Sequence, residues 1–315
     1  MGNFHNHFGG DKNQSNLIDN EKHNNLIRYA SYSSVLAALI IVGLKFYGWA
    51  ITNSSSFFTS LIDSLLDITT SLVNMVAIRF SLAPPDNNHR FGHEKIQDLA
   101  VFAQSSFFMG AGFFAFIQVI RDSYHGQSIS NHGEGMFIMA LVSIVTFALL
   151  GFQTYVLKKT QSKIISVDRF HYIFDFLTNL SVILCLYISE TYVYADSILG
   201  VLISIFIVTG AFKFVKYSIK NLIDQECDDE EKAKIVAALK TFSEIKGAHG
   251  LKTRRAAEKY FIQVHLEMDS NMTLIEAHEI TDKISDKIKE SFKNSEIIIH
   301  QDPYGFEEDK EYIVL

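Results

Sequence analysis

Six stretches of mainly apolar residues, at about 31–52, 55–80, 97–121, 136–157, 168–189 and 196–219, constrain this chain more than any other feature. A helix needs roughly 20 apolar residues to cross the hydrocarbon of a bilayer, and each stretch reaches that length. In lipid the backbone must satisfy its own polar groups, so each stretch is expected to be a transmembrane helix. Several of them also carry Ser, Thr, Gln or an acid, which a simple anchor does not need. A bundle with a polar interior is the expected arrangement.

The short loops set the orientation. Arg79, Arg90 and Lys95 lie around the second-to-third loop, and Lys158, Lys159, Lys163 and Arg169 around the fourth-to-fifth. Lys213, Lys216 and Lys220 follow along the end of the sixth span, whereas residues 50–54 and 190–195 hold no Lys or Arg and the remaining loop is flanked only by Arg121. The positive-inside rule then places both termini in the cytoplasm of a multi-pass cell (inner) membrane protein. Trp49 with Tyr47, and Tyr192 with Tyr194, mark span ends as interfacial aromatics do.

Outside the spans the composition changes. Residues 1–28 are polar, lack the apolar core of a signal peptide, and are expected to be a leader without structure of its own. The six spans occupy 29–222. A tail over 223–303 carries much of the chain's formal charge of −7, a balance that argues against nucleic-acid binding. Residues 304–315 form a C-terminal extension. Asp228-Asp-Glu-Glu231 opens a helix to about Phe242 with acids at its positive end. His249–Ala256 and Tyr260–Met268 read as strands, the second with Ile262, Val264 and Leu266 alternating with Gln263, His265 and Glu267. Thr273 and Glu276 make a capping-box pattern for a helix to about Phe292, and Glu296–Asp302 gives a last strand. The order αββαβ describes a small ferredoxin- or metallochaperone-like α+β domain. Cys185 and Cys227 are too few for a disulfide framework.

The chemistry lies inside the spans. Asp63 and Asp67 are four apart on the second, and His171 and Asp175 four apart on the fifth, so each pair shares one helical face. Two such faces opposed supply three carboxylates and an imidazole, a set suited to a tetrahedral Zn²⁺-like ion. An acid at mid-bilayer costs about 2.5–3.5 kcal/mol even on lenient scales. The bland alternative is polar glue between helices, or acids balanced by Lys45, but glue does not need two i,i+4 pairs. Asp67-Ile-Thr-Thr-Ser-Leu also echoes Asp175-Phe-Leu-Thr-Asn-Leu, and transporters often hold their ion between repeated halves.

Two further groups are candidates. Asp86, His89 and His93 fall within one loop after Pro84-Pro85, close enough to share a metal. In the tail, His249, His265, His278, His300 and Asp302 are scattered over strands and a helix, and periodicity alone does not bring them together. His5, His7, His125 and His132 are read as solvated. No zincin, Walker or dinucleotide-binding motif accompanies these groups, and no nucleophile–base pair points to an enzyme or an organic cofactor.

In order along the chain, Leu61-Ile-Asp-Ser-Leu-Leu-Asp67, Asn88-His-Arg-Phe-Gly-His-Glu-Lys95, Asp168-Arg-Phe-His-Tyr-Ile-Phe-Asp175, Gly247-Ala-His-Gly-Leu251, Phe261-Ile-Gln-Val-His-Leu-Glu-Met268 and Ile298-Ile-His-Gln-Asp-Pro303 resemble the motifs of the cation diffusion facilitator family, most closely its bacterial ferrous-iron and zinc efflux branch. The resemblance implies a homodimeric metal–proton antiporter working by alternating access in a lipid bilayer. It implies a transport site of Asp63, Asp67, His171 and Asp175, a loop site of Asp86, His89 and His93, and a binuclear tail site of His249, His265, His278, His300 and Asp302 at the dimer interface. Lys95 and Asp224 match positions of an inter-subunit charge interlock. Asn87 departs from the acid that relatives often carry there, as do the longer polar N-terminus and C-terminal extension. The expected cargo is Zn²⁺ or Cd²⁺, with Fe²⁺ and Mn²⁺ compatible. Without the resemblance, a cation channel or a membrane metal sensor would fit the intramembrane acids as well.

Overall fold

The computed structural model describes residues 10–52, 55–125, 133–188, 195–305 and 313, with side chains described over 21–51, 60–121, 137–181, 198–305 and 313. Tyr192, Tyr194, His5, His7 and His132, and the side chains of Cys185 and His125, lie outside these residues. The chain divides into two compact units, Met1–Ser218 and Ile219–Leu315.

The first unit is helical: α1 (Gly10–Thr52), α2 (Ser55–Ser81), α3 (Lys95–His125), α4 (Gly133–Thr160), α5 (Lys163–Ile188) and α6 (Ala195–Leu222). All six expected spans are helices. The leader differs from expectation, because α1 is already helical from Gly10. Its junction with the first span has a packing role: Ile27 and Ala30 are fully buried against Ala77, Val101, Val156 and Ile164. Five helices, α1 to α4 and α6, contain stretches long and apolar enough to cross a membrane among the described residues. α5, whose described part carries Asp168, Arg169 and Asp175, is not one of them.

This bundle is polar inside and apolar outside. Ser34, Ser64, Ser71, Asn74, Gln97, Asp98, Gln104, Gln153, Asp168 and His171 are buried, while Phe113, Phe114, Phe137, Ile144 and Phe147 are more than half exposed. Water would reverse that distribution; lipid favours it. Small residues let α6 approach its neighbours, as membrane helices require. A Cβ on Gly112 would stand 2.9 Å from Ile207, and one on Gly210 would run into the ring of Phe170.

Four helices meet at one carboxylate. Asp168, 2% exposed on α5, accepts from Ser34 Oγ of α1 at 2.6 Å, Asn74 Nδ2 of α2 at 3.1 Å and Gln153 Nε2 of α4 at 2.7 Å. Tyr172, one turn on, donates to the Ser34 carbonyl at 3.2 Å and lies 3.2 Å from Ser71 Oγ of α2. The knot fixes the rotation of α5, and with it the direction of the ionisable residues that follow.

The second unit continues with α7 (Asp229–Leu239), β1 (Gly247–Ala256), β2 (Lys259–Met268), α8 (Leu274–Ser291) and β3 (Ser295–Pro303), the expected αββαβ order. β2 is central, antiparallel to β1 and parallel to β3. The helices bury Ile235, Leu239, Ala277, Ile284 and Ile288 against Ile262, Val264 and Leu266 of the sheet. The capping box of α8 forms as expected, with Glu276 N–H donating to Thr273 Oγ1 at 3.3 Å and Thr273 N–H to Glu276 Oε2 at 2.8 Å. From the C-terminal extension, Ile313 N–H donates to the Ala248 carbonyl on β1 at 2.8 Å.

Four substitutions test this packing. Asp168→Ala strands three buried donors at about 1–3 kcal/mol each, and should lower the melting temperature in detergent more than Asp168→Asn, which keeps one acceptor. Ile284→Ala should cost the tail domain about 2–5 kcal/mol, and Lys283→Ala on its exposed side less than about 0.5 kcal/mol. Amide exchange in the β2 strand of the full chain reads both.

Candidate metal centre

In the bundle, the knot at Asp168 places His171 three residues on and Asp175 seven residues on along the same face of α5. That face meets Asp67 of α2. His171 Nε2 lies 2.9 Å from Asp67 Oδ1 and 3.3 Å from Asp175 Oδ2. A tetrahedral ion with bonds of roughly 2.0–2.2 Å holds its ligand atoms roughly 3.4 Å apart, close to the separation of His171 Nε2 from each carboxylate. Each of the three residues offers a donor atom within 4.8 Å of the others. Asp63, expected in the same set, sits one turn before Asp67 with an exposed side chain and outside this trio.

The imidazole is held from both sides. Phe108 of α3 stacks on His171 with ring centroids 4.6 Å apart and planes 6° from parallel. Phe108, Phe170, Phe174 and Ile207 also line a small apolar pocket beside it. The apolar wall leaves Nε2 facing the two carboxylates.

The loop after α2 gathers its three candidates tightly. His89 Nδ1 is 3.2 Å from Asp86 Oδ1, and His93 Nε2 is 3.3 Å from Asp86 Oδ2. The backbone N–H groups of His89 and Asn88 donate to Asp86 Oδ1 at 2.7 and 2.8 Å. These bonds, with a smaller contribution from the His89 ring, hold the Asp86 carboxyl below the ordinary carboxylate range. An ionised carboxylate between two imidazoles, one of them nearly buried, is a complete three-donor set.

In the tail, strand register does what spacing could not. His249 pairs with His265 across β1 and β2, and His265 with His300 across β2 and β3, so three imidazoles form one row across the sheet. Asp302, two residues past His300, turns into the row: Oδ2 is 3.1 Å from both His249 Nε2 and His265 Nδ1, and Oδ1 is 3.2 Å from His300 Nε2. Gly250 has φ of +59°, and a Cβ there would stand 3.1 Å from the His265 ring, so glycine lets β1 bend past that ring. His249, His265 and Asp302 offer donor atoms within 4.8 Å of one another, a set that matches the donor chemistry of a Zn²⁺-like ion, with His300 on the other Asp302 oxygen.

His278 is not brought to this row; its Nε2 lies 3.6 Å from Asp282 on an exposed face of α8. Glu267, on the polar side of the β2 alternation and outside the expected ligand set, is 2% exposed, with Oε1 4.0 Å from His249 Nε2. Its position two residues after His265, on the same strand face, was the available signal. Asp224, at φ of +56°, pairs with Arg254 Nη1 at 3.2 Å within its own unit, while Lys95 opens α3 in the other unit.

Comparison with known proteins agrees with this architecture. Residues 31–223 match the family model described as the cation efflux transmembrane domain, and 227–304 the one described as the cation efflux protein, cytoplasmic domain. "Protein p34" of Rickettsia prowazekii is 46% identical over 94% of this chain and 99% of its own length. The "Cation-efflux pump FieF" of Pectobacterium atrosepticum is 36% identical over 88% of this chain and 93% of its own. The metal-bound C-terminal domain of the CzcD transporter from Thermotoga maritima is 32% identical over 25% of this chain and 93% of that domain, with a TM-score of 0.24. A polar-cored bundle with a buried donor trio, followed by a histidine-bearing αββαβ domain, is thus matched along nearly its whole length, and the chain belongs to the cation efflux family of membrane metal-cation transporters.

Proposed function

We propose that this transporter exports a divalent transition metal from the cytoplasm as a homodimer, exchanging it for protons by alternating access. The observation that carries the reading is the trio of Asp67, His171 and Asp175 inside the bundle, each offering a donor atom within 4.8 Å of the others. Asp63 would complete four ligands in the loaded state, reaching back one turn along α2. Zn²⁺ and Cd²⁺ suit three carboxylates and one imidazole best, and Fe²⁺ and Mn²⁺ remain open to competition, since affinity order does not set selectivity. Proton exchange follows from the donor chemistry: ligands must be deprotonated to bind metal, so metal and protons exclude one another. Both termini would face the cytoplasm of an inner membrane.

In reconstituted vesicles a pH gradient should drive Zn²⁺ flux in the wild type, and Asp67→Ala should reduce that flux to the background of empty vesicles. Flux that survives Asp67→Ala would remove the trio from the transport path. Running Zn²⁺, Cd²⁺, Fe²⁺ and Mn²⁺ against one another in the same vesicles orders their preference.

The tail row supports a second role for metal. We infer that an ion held by His249, His265, His300 and Asp302 bridges or braces two tails, with His278 supplied at the same interface and Glu267 orienting His249. The loop trio of Asp86, His89 and His93, and the pairing of Lys95 with Asp224 between subunits, would join loop to tail. A ligand shifts such an equilibrium only through unequal affinity for its states. His265→Ala should therefore lower both the number of Zn²⁺ ions bound per chain and the metal sensitivity of transport, read by equilibrium dialysis and by flux against Zn²⁺ concentration.

A further inference from the structure

One buried cation stands beside the transport trio without a role in it. Lys45 of α1 is 8% exposed, and a lysine in a membrane bundle is costly unless it answers a charge. Its Nζ donates to Ser64 Oγ at 2.7 Å and to the Ser60 carbonyl at 3.3 Å, both on α2. Ser64 directly follows Asp63 and lies three residues before Asp67. Asp63 and Asp67 each follow one of these partners by three residues on α2, and Asp67 meets Asp175 at His171. Those are the three carboxylates assigned to the metal.

We propose that Lys45 is the tethered counter-cation of the transport site: its ammonium neutralises part of the acid set while no metal is bound, and it opposes the metal when one arrives. The proposal rests on the reading of Asp67, His171 and Asp175 as the transport site. An exporter must pass through a metal-free state, and whichever carboxylates the exchanged protons leave ionised still resist burial in a low-dielectric bundle. A fixed cation removes that penalty. It also repels the bound divalent ion, holding affinity down and speeding release. A flexible four-carbon stem ending in a compact charge suits this better than a planar guanidinium. The rival account is a structural tie from α1 to α2, which the bonds to Ser60 and Ser64 would serve by themselves. It does not explain why the tie carries a charge among three acids.

Cd²⁺ uptake by proteoliposomes separates the two accounts, using full-length Lys45→Met, Lys45→Gln, Lys45→Arg, Ser64→Ala and Asp67→Ala. Loss of the charge should lower the KM for Cd²⁺ by about tenfold in both Lys45→Met and Lys45→Gln, in the range usual for coupled sites, and should lower Vmax with it. Gln keeps a donor for Ser64, so a structural tie predicts that Gln restores wild-type kinetics. Lys45→Arg and Ser64→Ala, which keep the charge, should stay within about threefold of the wild-type KM. Melting in detergent gives an independent reading. Lys45→Met should melt below wild type in chelator and gain more than wild type on adding Cd²⁺. An equal deficit with and without Cd²⁺ overturns the proposal. A variant recovered only from cells grown with Cd²⁺ supports it, and one lost with or without Cd²⁺ overturns it. If Asp67→Ala transports like wild type, the site reading itself fails. If Asp67→Ala is inactive and the neutral Lys45 variants keep the wild-type KM, only the counter-cation fails.

Discussion

An ionisable group inside a lipid-facing bundle must bring its partners with it, and the rest of this protein's transport machinery depends on how Asp168 does so. Its carboxylate takes hydrogen bonds from Ser34, Asn74 and Gln153, one on each of three other helices. Those three donors index α5 against α1, α2 and α4 at once. His171 and Asp175, on the same face of α5, are thereby aimed at Asp67, and Phe108 closes the fourth side with a ring parallel to the imidazole. Polar burial, which destabilises most cores when incomplete, is here what specifies the arrangement.

The tail solves the same problem with sheet register. A row of histidines from three strands needs no helical spacing, only that His249, His265 and His300 pair across neighbouring strands. Asp302 then reaches all three rings from the end of β3. In the bundle, ligands come from positions four apart on one chain segment and a partner helix; in the sheet, they come from segments far apart in sequence. Both centres are built on regular elements rather than on loops, which favours fixed ligand geometry. The loop trio is the exception, and it is stiffened instead by backbone donors to Asp86.

Much of this was legible in the sequence because its signals are local. Apolar length announced the helices, the i,i+4 spacing of His171 and Asp175 announced a shared face, and Thr273 with Glu276 announced the start of α8. What escaped was non-local. Strand register, which assembles the tail row, is fixed by pairing between distant segments. The burial of Glu267 beside His249 depends on that register too, so alternation alone does not single it out. The helical start of α1 at Gly10 escaped because residues 10–28 are polar, and only the packing of Ile27 and Ala30 shows that the end of this segment belongs to the core. Asp63 shares a face with Asp67 by spacing, yet its side chain is exposed and stands outside the trio.

The central claim is that a divalent ion occupies the point shared by Asp67, His171 and Asp175. Anomalous diffraction from crystals of the full-length protein grown with Zn²⁺, recorded on both sides of the zinc absorption edge, tests it without reference to flux. The account predicts a peak inside the bundle about 2.0–2.2 Å from His171 Nε2 and from carboxylate oxygens of Asp67 and Asp175. Zinc peaks at the loop and tail centres with none between α2 and α5 would contradict it.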